Sequence, residues 1–196
     1  YIQIYSFIKY RKPKVLRLDI AATCNAQCPM CPREHMEKSR LVGKMPLDQI
    51  KKILIDGKKF GFQTLKVYIT SEPTVHPDFN FIMKFSKQLG YINNVSTNAS
   101  LIPRALEGLK YVDNLQISVE GWDKESYEKF RYPLNFEKVY DNLKLLNQNI
   151  DKKNQNRYIH LPMTKNTDLR KFLKLWGEFV NFVKVDYMQP ANLFSK

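Results

Sequence analysis

Cysteine is nearly absent from this chain. There are three among 196 residues, and all three fall within Cys24-Asn25-Ala26-Gln27-Cys28-Pro29-Met30-Cys31. An odd count at spacings this tight excludes a disulfide framework. It fits a reducing, cytoplasmic setting. Long apolar runs are missing too: none approaches the roughly 20 residues that a membrane span needs, so no membrane partner is expected. The opening Tyr1–Lys14 carries Lys9, Arg11, Lys12 and Lys14 after its apolar residues, the reverse of a secretory signal, and none is expected. Acidic residues are outnumbered, 19 Asp and Glu against 32 Lys and Arg, a net charge of +13. Such a balance suits a nucleic-acid or acidic partner. The lysines are spread over nearly every segment, however (Lys51, Lys58, Lys110, Lys144, Lys171), which reads as a solvated surface and makes nucleic acid an unlikely partner.

What is present is a rhythm. With 43% hydrophobic residues the chain can build one core of ordinary size. Residues 1–14 read as a lead-in segment and 15–196 as a single domain. Val15–Ile20 alternates apolar and charged residues, as a strand does. Leu47, Ile50, Ile53 and Leu54 then share a helical face, with Gly57 and Gly61 expected to mark its end. Further strands are expected at Leu65–Thr70, Tyr91–Ser96, Leu115–Val119, Tyr158–Met163 and Phe182–Met188. Between them lie helical patterns: Phe79 to Leu89 closed by Gly90, a short helix opened by Pro103, Asp123–Phe130, and Phe136–Leu146. A last helix, capped by Asp168, places Leu169, Phe172, Leu173, Trp176 and Val180 inward. Six alternations of strand and helix imply parallel strands joined by right-handed crossovers. A doubly wound sheet and a TIM-type barrel with six of its eight units both satisfy that pattern.

In either architecture chemistry sits at the C-terminal ends of the strands. That rule collects the cysteine loop after the first strand and Ser71, Glu72 and His76 after the second. Thr97 and Asn98 follow the third, Ser118, Glu120 and Gly121 the fourth, and Thr164, Lys165 and Asn166 the fifth. Taken singly most have ordinary explanations: Asn98 as a turn residue, Ser118 as a small interior residue, His76 as a loop histidine bonded to backbone. Arg33, two residues past Cys31, reads equally as an exposed loop arginine or as a steering charge.

Three thiolates in one short loop suit a shared metal or an iron–sulfur cluster, and they are one short of a closed tetrahedral set. His35 could complete a Cys3His zinc site with Cys24, Cys28 and Cys31, and the net charge would then favour a nucleic-acid-binding module.

The loop, read as CxxxCxxC after a first strand, resembles the signature of the radical S-adenosylmethionine (SAM) superfamily. The resemblance extends further. Thr70-Ser71-Glu72-Pro73 stands where that family has Gly-Gly-Glu-Pro, and His76-Pro77-Asp78-Phe79 continues it. Ser96-Thr97-Asn98-Ala99 is similar to its Thr-Asn-Gly segment, and Ile117-Ser118-Val119-Glu120-Gly121 to Ile-Ser-Leu-Asp-Gly. Tyr127–Arg131 matches Tyr-Glu-x-x-Arg. The resemblance implies a partial (βα)6 barrel of the TIM type, with parallel strands and outer helices. It implies a 4Fe–4S cluster held by Cys24, Cys28 and Cys31. SAM would chelate the fourth iron, near Glu72, Asn98, Ser118 and Arg131. The implied reaction is reductive cleavage of SAM to a 5′-deoxyadenosyl radical that abstracts hydrogen from a substrate. An external reductant such as flavodoxin or ferredoxin would supply the electron. The most similar subgroup carries C-terminal SPASM or twitch extensions and modifies peptides or proteins. No such extension, and no cysteine after Cys31, is found in these residues. No catalytic side chain is singled out. Two departures bear on the pocket: Met30 where an aromatic residue is usual, and Thr70 and Ser71 in place of two glycines. They motivate one more alternative, a cluster-binding barrel without turnover.

Overall fold

The computed structural model describes residues 13–187. The lead-in up to residue 12 and the expected strand end at Met188 lie outside the described residues. Strands β1 (Val15–Arg17), β2 (Thr64–Lys66), β3 (Ile92–Thr97), β4 (Asn114–Ile117), β5 (Asn156–Met163) and β6 (Phe182–Tyr187) alternate with helices. The helices are α1 (Leu47–Phe60), α2 (Phe79–Gln88), α3 (Ile102–Leu109), α4 (Lys124–Phe130), α5 (Phe136–Asn149) and α6 (Leu169–Trp176). The strands form one parallel sheet in the order β1-β2-β3-β4-β5-β6. That order decides between the two architectures. A doubly wound sheet reverses its strand order partway, whereas a (βα) barrel adds each strand beside the last. Among the described residues β1 and β6 are not paired with each other, so the barrel is partial.

The two faces of the sheet differ, and the alternation in the sequence is the cause. Leu65 and Val67, Leu115 and Ile117, and Ile159 and Leu161 are buried against the helices. Intervening residues face the concave side, which is polar. There Asn114 Nδ2 donates to Asn94 Oδ1 and Asn156 Nδ2 to Asn114 Oδ1, both at 2.8 Å, a ladder across three strands. Tyr158 and Phe182, in register on β5 and β6, stack with centroids 5.3 Å apart.

Helix ends follow local chemistry. Asp168 accepts from Lys171 N at the start of α6, as expected, and Asn135 accepts from Lys138 N at α5. Asp123 and Ser126 form a reciprocal capping box at α4. Each such cap is worth about 1 kcal/mol.

Four expectations need correction. Gly57 does not end α1. The helix runs through it to Gly61 (φ +108°). A Cβ on Gly57 would lie 2.8 Å from Tyr91 Oη, which donates to Leu54 O, so this glycine permits close packing. Leu173 of α6 is exposed rather than inward. Val180 is buried, but beyond the end of α6. β1 and β2 pair over only three residues each, although Leu18 N still donates to Lys66 O and Val67 N to Asn94 O. Beyond Arg17 and Lys66 the chain runs on as irregular extended backbone into the loops at the C-terminal end of the sheet.

Candidate functional site

The chain beyond β1 leads into the cysteine loop, which is tied to several parts of the fold. Gln27 N donates to Tyr132 O at 2.6 Å, in the turn after α4. Asn98 Nδ2 donates to Asn25 Oδ1 at 2.9 Å, and Asn25 Nδ2 donates to Ser100 Oγ at 2.8 Å, joining the loop to the end of β3. Cys31 N donates to Cys28 O at 2.9 Å, closing a turn between the second and third cysteines. Arg33 Nη1 donates to the carbonyls of Ala22 and Thr70, both at 2.8 Å, so this arginine is a backbone brace.

All three thiols are free, Cys28 buried and Cys24 and Cys31 partly so. They line one cavity of about 670 Å³, inside the range of small-molecule sites. Glu72, Asn98, Ser118 and Arg131 line it as well. The seven residues singled out from sequence, scattered over more than a hundred positions, thus line one cavity at the C-terminal end of the sheet.

Burial pushes the Cys24 thiol up, opposed by the Ala26 N–H. Burial also pushes Cys28 up, opposed by Arg131. Both are therefore protonated at neutral pH until a metal displaces the proton. Soft thiolates suit iron–sulfur clusters. Among the described residues no three His, Cys, Asp or Glu side chains converge tightly enough to hold a single metal ion. The Cys3His arrangement with His35 is therefore not assembled as a mononuclear site. A multi-metal cluster instead needs thiols spread around a shared space, and the cavity-lining set fits that requirement.

Glu72 is buried and spends its carboxylate on the fold. Oε1 accepts from Thr74 N (3.1 Å), Thr74 Oγ1 (2.6 Å) and Thr97 Oγ1 (2.8 Å), and Oε2 from Asn98 N (2.7 Å). It bolts the end of β2 to the end of β3. Burial pushes its pKa up, against the pull of these four donors. Asn98 precedes Ala99, whose φ of +61° is left-handed. That explains a glycine at this place in similar sequences. Here Asn142 Nδ2 holds the turn by donating to Ala99 O and Ser100 O. Ser118 Oγ pairs with Ser96 Oγ at 3.0 Å. The Thr70 and Ser71 hydroxyls are both taken up by the Asp19 carboxylate.

Arg131 sits at the C-terminus of α4. Its Nε faces the Glu120 carboxylate in an ion pair, and Nη1 lies 3.6 Å from Cys28 Sγ. Burial works against the guanidinium charge, but Glu120 and Cys28 more than offset it, and its pKa is raised.

Of the other strand-end candidates, Ser71 and Thr97 also line the cavity, whereas His76, Glu120, Gly121, Thr164, Lys165 and Asn166 do not. Both ring nitrogens of His76 are engaged: Nδ1 accepts from Asp78 N, so Nε2 carries the proton and donates to Met45 O. Thr164 N donates to Thr167 Oγ1 in a local turn. Glu120 and Gly121 are buried. Asp19, Asn25 and Ser96 were missed because nothing in their spacing marks them. Asp19 alone had a signal, as the polar residue facing inward at the end of a strand.

A family model described as the Radical SAM superfamily matches residues 18–175. A cofactor-modifying protein for tungsten-containing aldehyde ferredoxin oxidoreductase from Pyrococcus furiosus is 37% identical over 91 residues, 45% of this chain and 25% of that protein. The PqqA peptide cyclase of Bradyrhizobium diazoefficiens is 31% identical over 116 residues, 56% of this chain and 29% of its own. The chain thus spans about a quarter of each relative. Streptococcus suis SuiB superposes with a TM-score of 0.68 at 16% identity, over 94% of this chain and 42% of SuiB, a likeness of fold. With the family model covering most of its length, the chain belongs to the radical SAM superfamily, whose members use a 4Fe–4S cluster and S-adenosylmethionine.

Proposed function

We propose that residues 15–196 form the core of a cytoplasmic radical SAM enzyme, preceded by a lead-in over 1–14, in which Cys24, Cys28 and Cys31 hold one 4Fe–4S cluster. The observation that carries this reading is the shared cavity, lined by three free thiols together with Glu72, Asn98, Ser118 and Arg131. When bound, the cluster and SAM supply one-electron reductive cleavage and hydrogen abstraction.

The chain's own residues bind and orient. Cys24, Cys28 and Cys31 would hold the cluster, and three thiolates would leave one iron free to take SAM. Glu72 Oε2, with one hydrogen bond to Asn98 N, keeps a lone pair for the methionyl ammonium. Ser118 and the remaining Arg131 N–H groups line the same cavity and would bind its carboxylate. Asp19 engages the Thr70 and Ser71 hydroxyls, so the two replaced glycines remain compatible with a ligand. Met30, Met36, Leu41 and Ile69 give the cavity an apolar part. The electron comes from an external reductant such as flavodoxin or ferredoxin. A peptide or protein is the proposed substrate class, supported by the likeness to a peptide cyclase.

Anaerobic reconstitution with iron and sulfide tests the reading. About four irons per chain are expected, with 5′-deoxyadenosine formed from SAM on reduction with dithionite. Zinc uptake without iron would refute the cluster. Undiminished 5′-deoxyadenosine from Cys28→Ala would refute the ligand assignment.

A further inference from the structure

Among the described residues, Cys28 is the cysteine whose sulfur accepts a hydrogen bond from a cationic side chain. Arg131 Nη1 points at Cys28 Sγ from 3.6 Å. Its Nε is ion-paired with Glu120, and the two side chains are 14% and 12% exposed. The same turn supplies the Tyr132 carbonyl that receives Gln27 N, beside Cys28. One short segment after α4 thus grips the loop at two adjacent residues. Glu120 fixes the guanidinium from the end of β4, which leaves it few alternative positions. The Tyr127 hydroxyl, buried and without a hydrogen-bond partner among the described residues, lies on the same helix.

We infer that Arg131, held by Glu120, is a positioning residue that donates a charge-assisted hydrogen bond to the Cys28 thiolate and thereby raises the reduction potential of the cluster that thiolate holds. This rests on the cluster reading proposed above. Reduction adds one electron from the donor and makes the cluster one unit more negative, with no proton transferred. A guanidinium in a desolvated wall stabilises that added charge, since hydrogen bonds to cluster sulfurs and nearby charge set such potentials. Glu120 opposes it from the far side of the guanidinium. It also keeps the guanidinium aimed.

The experiment is a potentiometric titration of the reconstituted chain, followed by electron paramagnetic resonance and run without SAM, so that any contact of Arg131 with SAM plays no part. Arg131→Gln is expected to shift the oxidised-to-reduced ratio at least tenfold toward oxidised, about 59 mV downward for one electron. Glu120→Gln keeps the side chain's size but leaves the positive charge uncompensated, so its potential is expected to rise. Opposite signs separate the inference from a general loosening of the loop, which would move both variants the same way. A shift within about 20 mV of the parent for Arg131→Gln, a factor of two, would overturn it, as would shifts of equal sign. If Arg131→Gln takes up no iron, the sign for Glu120→Gln decides: a rise supports the inference, and no change or a fall overturns it. A parent chain without iron overturns the cluster reading and this inference together. A loaded parent with unmoved variants overturns this inference alone.

Discussion

Gly121→Ala is the substitution that asks most of this fold. Gly121 has a φ of +95°. A Cβ there would stand 2.3 Å from Tyr127 N and 2.5 Å from Tyr127 Cα. Those are backbone atoms inside α4, so no side-chain rotation relieves the clash. The Gly121 carbonyl also receives Trp176 Nε1 at 2.8 Å, which locks α6 to the same point. The left-handed backbone costs about 1–3 kcal/mol for a residue with a side chain. Forcing α4 outward adds about 1–3 kcal/mol of overpacking. The expected loss is therefore about 4 kcal/mol. With a urea slope of about 2 kcal/mol/M for a domain of this size, the unfolding midpoint falls by about 2 M. A native stability of about 5–15 kcal/mol leaves the variant folded without denaturant. Urea unfolding followed by circular dichroism measures the shift. A midpoint within about 0.5 M of the parent, roughly 1 kcal/mol at that slope, would refute the claim that α4 is seated directly on this glycine.

Glu72→Ala strips the acceptor from two backbone N–H groups and two hydroxyls, and unfolding should show a loss of about 2–3 kcal/mol. SAM binding measured by calorimetry should weaken with it, because the ends of β2 and β3 come apart. The cysteines predict a pH dependence for the metal-free chain. Burial raises the folded pKa of Cys24 and Cys28 above the ordinary value near 9. The folded state therefore holds its thiol protons longer than the unfolded state does. That stabilisation is complete below the ordinary value and is lost as pH rises through the folded one. Urea midpoints should fall above about pH 9 in the parent and fall less in a Cys24→Ser, Cys28→Ser double variant.

The fold was legible because the concave face is polar. Parallel strands buried on both faces read as unbroken apolar runs. Here VLRLDI and LKVYIT alternate instead, and that alternation marked the strands. It overstated how far β1 and β2 pair, since Leu18, Ile20 and Val67 stay buried beyond the strand ends and keep the same pattern. Gly57 misled because helix punctuation and close packing use the same residue. Arg157 reads as a surface charge, yet it is fully buried and donates to Gln155 Oε1 and Asn147 Oδ1. The cavity wall was legible because the strand-end rule collects it in sequence order. The Glu120–Arg131–Cys28 chain was not. Arg131 and Cys28 are 103 residues apart, and no periodicity links a helix C-terminus to a loop.

The ties on the cysteine loop bear on conformational entropy. Fixing one residue's backbone costs about 1–2 kcal/mol, so ordering the eight positions from Cys24 to Cys31 costs about 8–16 kcal/mol. In a zinc finger the metal must meet that cost, and the chain without metal is unfolded. Here Tyr132, Asn98 and Ser100 hold the loop in place, and the barrel core bears the cost. Metal removal should therefore leave a folded barrel. The affinity of the thiols is then available to hold the cofactor rather than to build its site.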